Sequence, residues 1–382
     1  MIQLLKQVIH ICSCVFFLGI TACATDNTPQ PQPIPDIKSA EPLNVTWDVG
    51  ALSSSISGSF APVIDSDNAI FTADSKGHIF KIDSTDGTII NEIGLKRKLS
   101  SGTAISSDSI FVTSLDDYIL CIDKASLKIK WEFKLPTISI EPPQVGGNTI
   151  VVRSIDATII ALDTETGKLL WSYQRPIPAL TLRATETMQI YPASGVLIAG
   201  LPGGSIAVLN LITGTQIWEN YIAVPSGSTD LDKLTDIAMR PVLDDKELCV
   251  GTYNGKISCV DAVSSNILWS KTFSGVAQLL IDTQNVYAVS QDGVVYAFDK
   301  NTGAIVWSND VLQYRNLSSP AFLNNNIIIV DSDGYINLFN KNTGTLGARI
   351  DSNLIGGTSY PISNGYKVIL QSANGNLASI TQ

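Results

Sequence analysis

The chain has 382 residues, a length that allows two or three ordinary domains or one large repetitive one. Hydrophobic residues make up 45% of it, which is too much for a disordered protein, and charged residues make up 16%. The formal net charge is −10 and no Lys/Arg cluster interrupts it, so a nucleic acid partner is not expected. His10 and His78 are the only histidines, which excludes a histidine-rich site; neither a metal nor a cofactor is predicted.

Residues 1–22 have the organisation of an export signal. Lys6 supplies the positive charge, and an apolar stretch from about Val8 to Ile20 follows it. This stretch is too short to span a membrane as a mature helix, which is typical of a signal peptide.

The sequence at 20–23, Ile-Thr-Ala-Cys, resembles the lipobox of bacterial lipoproteins, in which the cysteine receives the lipid. We therefore predict a lipoprotein signal peptide at 1–22 and lipidation of Cys23. The alternative is an ordinary signal peptide cleaved near Ala22 or Ala24. In the sorting rule of such lipoproteins an Asp after the cysteine favours the inner membrane, so Ala24 implies delivery to the outer membrane.

Residues 23–43 are predicted to be the lipidated cysteine followed by a proline-rich tether. Prolines at alternate positions favour an extended, unpacked chain, and they are Pro29, Pro31, Pro33 and Pro35. At ~3 Å per residue, twenty such residues reach up to roughly 60 Å. The segment is typical of a tether that holds a soluble body off a membrane.

Residues 44–382 consist of one repeat of ~40 residues. Each repeat ends a strand at a polar anchor residue, and the positions four and one before the anchor are always aliphatic or aromatic. In a strand these two positions point to opposite faces, so the strand is buried on both sides. This fits a sheet packed between two neighbouring sheets. The anchors are Asp83, Asp123, Asp163, Asn210, Asp261, Asp299, Asn340 and Thr381.

Turn glycines before and after the anchors divide each repeat into four antiparallel strands. Eight such blades predict an all-β fold, an eight-bladed β-propeller. The last repeat ends at Gln382 without a fourth strand, so we predict that the N-terminal strand around Trp47 closes the last blade. Tryptophans eight residues after an anchor are interpreted as packing between blades, and they are Trp131, Trp171, Trp218, Trp269 and Trp307.

Three cysteines lie in the predicted blades, and we interpret all three, Cys121, Cys249 and Cys259, as small buried apolar residues. If the pair Asn254-Gly255 is a two-residue hairpin loop, Val250 faces Cys259 and Cys249 points to the other face. A disulfide between them would then require a shifted register.

Two connections that follow a blade tryptophan are stretched, roughly 174–186 and 222–238. They belong to adjacent blade junctions and leave the same face, so we expect their tips to be neighbours. Insertions on one face are where repeat proteins commonly bind partners. In the first connection Leu180, Leu182 and Arg183 are candidate contacts; the alternative is that the leucines fold back beneath the loop as a small satellite core.

The repeat at 161–171, Ala-Leu-Asp-Thr-Glu-Thr-Gly-Lys-Leu-Leu-Trp, is similar to that of pyrroloquinoline-quinone-dependent dehydrogenases and their non-enzymatic relatives. With the lipobox, tether and eight blades, essentially the whole mature chain resembles the BamB family, lipoproteins of the outer-membrane β-barrel assembly machinery (the BAM complex). The resemblance implies a non-catalytic scaffold, lipid-anchored in the outer membrane and facing the periplasm. It also implies binding to the periplasmic POTRA domains of BamA and help in assembling and inserting β-barrel outer-membrane proteins.

The family's Leu-x-Leu-Arg stretch, which contacts BamA, matches residues 180–183, so the implied contacts are Leu180, Leu182 and Arg183. Its second contact, an Asp-Val-Asp motif, corresponds to 236–238. Asp236 is present there, but Ala238 replaces the second aspartate. Asp236 is therefore the fourth expected contact, with local pairing to Arg183 or Arg240 as the alternative.

The sequence leaves two questions about function open. The chain could assist by presenting edge strands to unfolded outer-membrane proteins or by orienting the periplasmic domains of BamA. The alternatives to a scaffold of this machinery are a quinoprotein-type enzyme or small-ligand-binding propeller, and a propeller lipoprotein of another envelope complex. A quinoprotein of this fold often carries adjacent cysteines, which this chain lacks, and His78 in a hairpin turn is interpreted as solvated rather than catalytic.

Overall fold

The computed structural model describes residues 29–37, 41–50, 52–53, 59–184, 187–275, 277–357 and 360–382. The predicted signal peptide and Cys23 lie outside these residues. Over the described part, the strands form eight separate antiparallel sheets of four strands each, and the only helix is a short 3-10 turn at Pro192–Ser194. None of the described helical segments has the length and hydrophobicity that a membrane crossing needs. The eight-bladed propeller predicted from the repeat is confirmed.

The strands of the first four blades follow one another in chain order, after a first strand that belongs to the eighth blade. That first strand is β1 (Asn44–Val49). Blade 1 contains β2 (Val63–Ile64), β3 (Ala69–Ala73), β4 (His78–Asp83) and β5 (Ile89–Gly94). Blade 2 contains β6 (Leu99–Ile105), β7 (Ser109–Ser114), β8 (Tyr118–Asp123) and β9 (Ile129–Lys134). Blade 3 contains β10 (Gln144–Gly146), β11 (Thr149–Arg153), β12 (Ile159–Asp163) and β13 (Leu169–Tyr173). Blade 4 contains β14 (Met188–Tyr191), β15 (Val196–Leu201), β16 (Ser205–Asn210) and β17 (Gln216–Tyr221).

The remaining blades repeat the arrangement. Blade 5 contains β18 (Val242–Asp244), β19 (Glu247–Gly251), β20 (Gly255–Asp261) and β21 (Ile267–Phe273). Blade 6 contains β22 (Leu280–Ile281), β23 (Asn285–Val289), β24 (Val295–Asp299) and β25 (Ile305–Asn309). Blade 7 contains β26 (Ala321–Leu323), β27 (Asn326–Val330), β28 (Tyr335–Asn340) and β29 (Leu346–Asp351). Blade 8 contains β30 (Ile362–Ser363), β31 (Lys367–Gln371) and β32 (Leu377–Thr381).

Each predicted anchor residue ends the third strand of its blade. The eighth blade is completed by β1, which pairs antiparallel with β32 from Asn44 opposite Thr381 to Val49 opposite Leu377. The N-terminal strand therefore closes the ring, as expected from the incomplete last repeat. Closure pairs the strand edges that the two chain termini would otherwise leave open.

Antiparallel blades place their connections on two faces of the ring. The turns between second and third strands and the links from a fourth strand to the next blade share one face, which we call the loop face. It carries the links 174–187, 222–241 and 310–320. The turns that follow the anchors lie on the opposite face.

Six tryptophans join neighbouring blades in the same way. Each indole N–H donates a hydrogen bond, 2.6–3.1 Å long, to the carbonyl of the residue directly after the anchor of the next blade. The interpretation of the tryptophans as interblade packing is confirmed. The donor and acceptor pairs are Trp47 with Ser84, Trp131 with Thr164, Trp171 with Leu211, Trp218 with Ala262, Trp269 with Lys300, and Trp307 with Lys341.

Glycine follows the anchor by four residues in five of the six turns that accept an indole N–H, and Ser265, with a φ of 60°, stands there in the turn that accepts from Trp218. At Gly214, an added Cβ would lie 2.5 Å from the Trp171 ring, and φ is +70°. Where the preceding blade has Asn91 instead of tryptophan, the equivalent turn position is Leu127, which keeps a positive φ of 55° without glycine. At Gly214 the close approach of the Trp171 ring therefore requires glycine more than the turn itself does.

Replacing Gly214 tests this distinction. We expect Gly214→Ala to lower the free energy of unfolding by about 1–2 kcal/mol for the left-handed backbone, plus about 1–3 kcal/mol because the methyl group overlaps the Trp171 ring. Gly195→Ala is the matched control, since φ is +65° there and nothing lies within 4 Å of the added carbon. Urea denaturation of both variants measures the difference; equal losses would contradict the packing role.

Cys249 and Cys259 form a disulfide, so the interpretation of all three blade cysteines as free is wrong for these two. The hairpin loop contains three residues, 253–255, and is closed by the hydrogen bond from the Thr252 N–H to the Lys256 carbonyl. One extra loop residue shifts the register, and Cys249 pairs directly with Cys259 on one face of the blade. Cys121 is free and buried, and burial raises the pKa of its thiol to about 11.

The disulfide should stabilise blade 5. For a closed loop of about ten residues, chain entropy predicts that Cys249→Ala/Cys259→Ala lowers the free energy of unfolding by about 2–3 kcal/mol. Cys121→Ala, at a buried free thiol, is the control for loss of sulfur packing alone. Denaturation with and without reductant checks this: the wild type should lose stability on reduction and the double variant should not.

Part of the predicted tether is packed on the propeller. The Gln32 N–H donates to the Gln313 carbonyl at 3.0 Å, and Arg349 donates to the Pro35 carbonyl at 3.0 Å. The expectation of a fully unpacked chain is therefore wrong here, because the segment's free carbonyls meet arginine donors of blade 7.

Candidate partner-binding site

The two long links lie side by side on the loop face, as their adjacent positions in the repeat predicted. In the first link Leu180 is 46% exposed, the Arg183 side chain is also exposed, and Leu182 is half-buried. The satellite-core alternative does not fit Leu180. At the start of the link Arg175 bonds to Ser205 at 3.0 Å and pairs with Glu219, which fixes this end of the link to blade 4.

Asp236 is 4% exposed and lies beneath this surface. One carboxylate oxygen accepts the Leu182 N–H at 2.6 Å and the other accepts the Gly203 N–H at 2.7 Å. Its backbone carbonyl accepts the Tyr253 N–H at 2.9 Å. A single residue thus ties the two long links to the turns of blades 4 and 5.

This geometry changes the interpretation of Asp236. A carboxylate that accepts two backbone N–H groups is held rigidly in place. Asp236 forms no ion pair with Arg183 within the described part of the chain. It positions the Leu-Thr-Leu-Arg stretch at 180–183 from below and does not itself present a charge to a partner.

Glu141 does the same at the far end of the first link. It is 3% exposed, and one of its oxygens accepts the N–H groups of Thr187 at 2.7 Å and Met188 at 2.8 Å. Sequence reasoning did not find this residue. The sequence offered one indication: Glu141 is an isolated acidic residue directly before Pro142 and Pro143, which precede β10.

Arg153 lies close to both buried carboxylates. Its guanidinium donates to the Gly200 carbonyl at 2.8 Å and contacts Thr187. Burial lowers the pKa of Arg153 from its ordinary value, while the charges of Glu141 and Asp236 act in the opposite direction. Because Thr187 also donates to Glu141 at 3.2 Å, Arg153 joins the hydrogen-bond network that holds the far end of the first link on blades 3 and 4.

The buried carboxylates are occupied by backbone amides and are not poised for acid–base chemistry. No three His, Cys, Asp or Glu side chains come together as a metal cluster in the described ranges. His78 is not simply solvated as predicted, since its Nδ1 lies 3.0 Å from the buried Asp74. Burial alone would raise the pKa of Asp74, but hydrogen bonds from His78 and Ser53 hold it below its ordinary value.

Removing one acceptor of Asp236 should loosen the surface above it. In Asp236→Asn the amide NH₂ must face a backbone N–H, so we expect a loss of about 1–3 kcal/mol in the free energy of unfolding. Amide exchange at Leu182 or Gly203 should speed up at the same time. Asp232→Asn, at an exposed residue of the same link that accepts only the Thr229 N–H, is the control. Unchanged exchange in Asp236→Asn would contradict the positioning role.

Comparisons with known proteins show the family to which the chain belongs. The model of the family described as "Outer membrane protein assembly factor BamB" matches residues 75–309. The outer membrane protein assembly factor BamB of Bordetella pertussis is 32% identical over 342 residues, covering 88% of this chain and 86% of that protein. The chain belongs to the BamB family. The resemblance found in the repeat is confirmed, and the family is one of assembly factors and not of enzymes.

Solved structures show how widely the fold is shared. The crystal structure of BamB from Moraxella catarrhalis superposes with a TM-score of 0.80 at 21% identity, covering 89% of this chain and all of that chain. The quinohemoprotein alcohol dehydrogenase from Comamonas testosteroni superposes with a TM-score of 0.71 at 13% identity, covering 89% of this chain and 76% of that chain. Both show the propeller fold alone; the sequence relatives carry the assignment to the BamB family.

Proposed function

We propose that this member of the BamB family is a non-catalytic scaffold of the outer-membrane β-barrel assembly machinery that docks on BamA. The observation that carries the proposal is the rigid presentation of residues 180–183 by the buried Asp236 carboxylate. Because this support exists before any partner binds, docking costs little ordering of the chain.

The chemistry of the exposed surface suits a protein partner. Leu180 and Arg183 are exposed, and apolar residues beside an arginine are the composition of interface hot spots. Of the four expected contacts, we assign direct contact to Leu180, Leu182 and Arg183 and a positioning role to Asp236. Ala238 is buried, so replacing the family's second aspartate removes no surface charge here.

The partner we propose is the set of periplasmic POTRA domains of BamA. The lipobox supports an outer-membrane location, with the lipid on Cys23 and the propeller facing the periplasm. The Cys249–Cys259 disulfide fits an oxidising compartment such as the periplasm. We propose that the chain assists barrel assembly by orienting the domains on which this surface docks.

Truncating the exposed side chains should weaken docking without unfolding the protein. We expect Leu180→Ala and Arg183→Ala each to raise the Kd for the BamA periplasmic domains roughly tenfold or more, which is about 1.4 kcal/mol per tenfold. The melting temperature should stay nearly constant, because exposed loop side chains contribute little to the core. Titration calorimetry and thermal denaturation of the same samples give both quantities.

The control is Leu170→Ala, since Leu170 is also 46% exposed but begins the outer strand of blade 3 near the opposite face. Its Kd should match the wild type. Unchanged affinity in a folded Leu180→Ala/Arg183→Ala variant would overturn the docking assignment. An equal loss of affinity in Leu170→Ala would place the binding surface elsewhere.

A further inference from the structure

The N-terminal segment 32–37 lies on blade 7. Both backbone polar groups of its first residue form hydrogen bonds. The Gln32 N–H donates to the Gln313 carbonyl at 3.0 Å, and Arg315 donates to the Gln32 carbonyl at 3.1 Å. Three residues later, Arg349 donates to the Pro35 carbonyl at 3.0 Å. These contacts fix the path of the chain before β1.

The spacing of the two accepted carbonyls fits a polyproline helix. Such a helix has three residues per turn and no internal hydrogen bonds, so carbonyls three residues apart face the same side and are free to accept. The prolines at 33 and 35 favour that conformation and reduce the entropy lost when the segment is held. The segment is suited to binding through its carbonyls alone.

Both arginines are held in place by the propeller before they meet the segment. Arg315 is 5% exposed and donates to Asp331 at 2.8 Å and to Asp333 at 2.6 Å. Arg349 donates through Nε to Asn337 at 2.7 Å. Each guanidinium therefore directs one remaining nitrogen at the segment in a fixed geometry.

The segment crosses blade 7 from one face of the ring to the other. Gln313 lies in the link between β25 and β26, on the loop face, and Arg349 lies in β29, the outermost strand of the blade. Beyond it, Glu41 accepts a hydrogen bond from Asn326 at 2.7 Å and contacts Gln382, at the end from which β1 starts. Gln32, the first residue of the segment, thus lies at the loop face.

We propose that segment 32–37 is a strap that makes the tether leave from the loop face, so that the lipid anchor holds this face, with the 180–183 surface, towards the membrane. The proposal rests on the lipidation of Cys23 proposed above. Nine residue steps separate Cys23 from Gln32, a reach of about 28 Å, whereas the twenty-one steps to Asn44 would allow about 65 Å. The strap thereby limits both the distance of the propeller from the membrane and its orientation.

Amide hydrogen exchange of the full mature protein in detergent tests the strap itself. The Gln32 N–H should exchange at least tenfold more slowly than in an unstructured chain, because it is bonded to Gln313. In Pro33→Gly/Pro35→Gly, and in Arg349→Met, that protection should fall towards the unstructured rate. Pro29→Gly, outside the strap, is the control and should keep it. An unprotected Gln32 N–H in the wild type would overturn the proposal.

Energy transfer in vesicles tests the orientation. The lipidated protein carries a dye at a single cysteine, Ser228→Cys on the loop face or Ser264→Cys in the opposite turn of blade 5, and the vesicles of phosphatidylethanolamine and phosphatidylglycerol carry an acceptor lipid. A strand of six residues spans about 20 Å, so transfer from position 228 should exceed that from 264. Pro33→Gly/Pro35→Gly should reduce the difference.

The two proposals fail differently in this experiment. If Cys23 is not lipidated, the protein does not bind the vesicles and its mass lacks the lipid, which contradicts the proposed anchor. If the protein binds and both dye positions transfer equally, the anchor stands and the strap is wrong. Stronger transfer from position 264 would likewise overturn the strap, because it would place the opposite face nearest the membrane.

Discussion

The hydrogen bond from an indole N–H to the turn of the next blade is the interaction on which the ring depends. It joins blades that share no strand pairing, and it occurs with the same geometry at six junctions. Each ring also covers the backbone of the turn to which it is bonded. The same tryptophan therefore provides apolar packing and a directional hydrogen bond between the blades. At two junctions the acceptor residue also reaches back: Lys300 pairs with Asp244 at 2.6 Å and Lys341 with Asp282 at 2.9 Å.

At the proposed docking surface the repeat no longer determines the structure. The two long links, 174–187 and 222–241, leave the repeat pattern, and the indole contacts do not hold their tips. Buried carboxylates of Asp236 and Glu141 replace them by capturing backbone amides. Burying a carboxylate costs free energy. Here these carboxylates hold the backbone of the links in place, and with it the exposed side chains, which would adopt many positions on a flexible loop. The quinohemoprotein alcohol dehydrogenase has the same propeller fold, so the fold alone does not determine the function.

The sequence predicted the blades well because eight copies of one pattern reinforce each other, and an error in one strand is corrected by the other seven. The sequence did not predict the Cys249–Cys259 disulfide. The hairpin loop has three residues instead of the two that were expected, and this shift in register brings Cys249 opposite Cys259. The roles of Asp236 and Glu141 could not be read from the sequence, since backbone amides look the same at every residue. The contacts of segment 32–37 were missed for a similar reason: prolines indicate an extended chain but do not indicate which arginines will donate to its carbonyls.

The pairing of β1 with β32 has a kinetic consequence. Thr46 bonds to Ser379, a partner 333 residues away, so the first strand has no place to pair until the last one exists. Bringing such distant segments together costs on the order of 5 kcal/mol in loop-closure entropy for an unstructured chain, and much less once seven blades have already curved the chain into an arc. A chain synthesised from its N-terminus therefore keeps β1 unpaired until β32 has been made. A chain that lacks β32 keeps two open strand edges, one on β1 and one on β31.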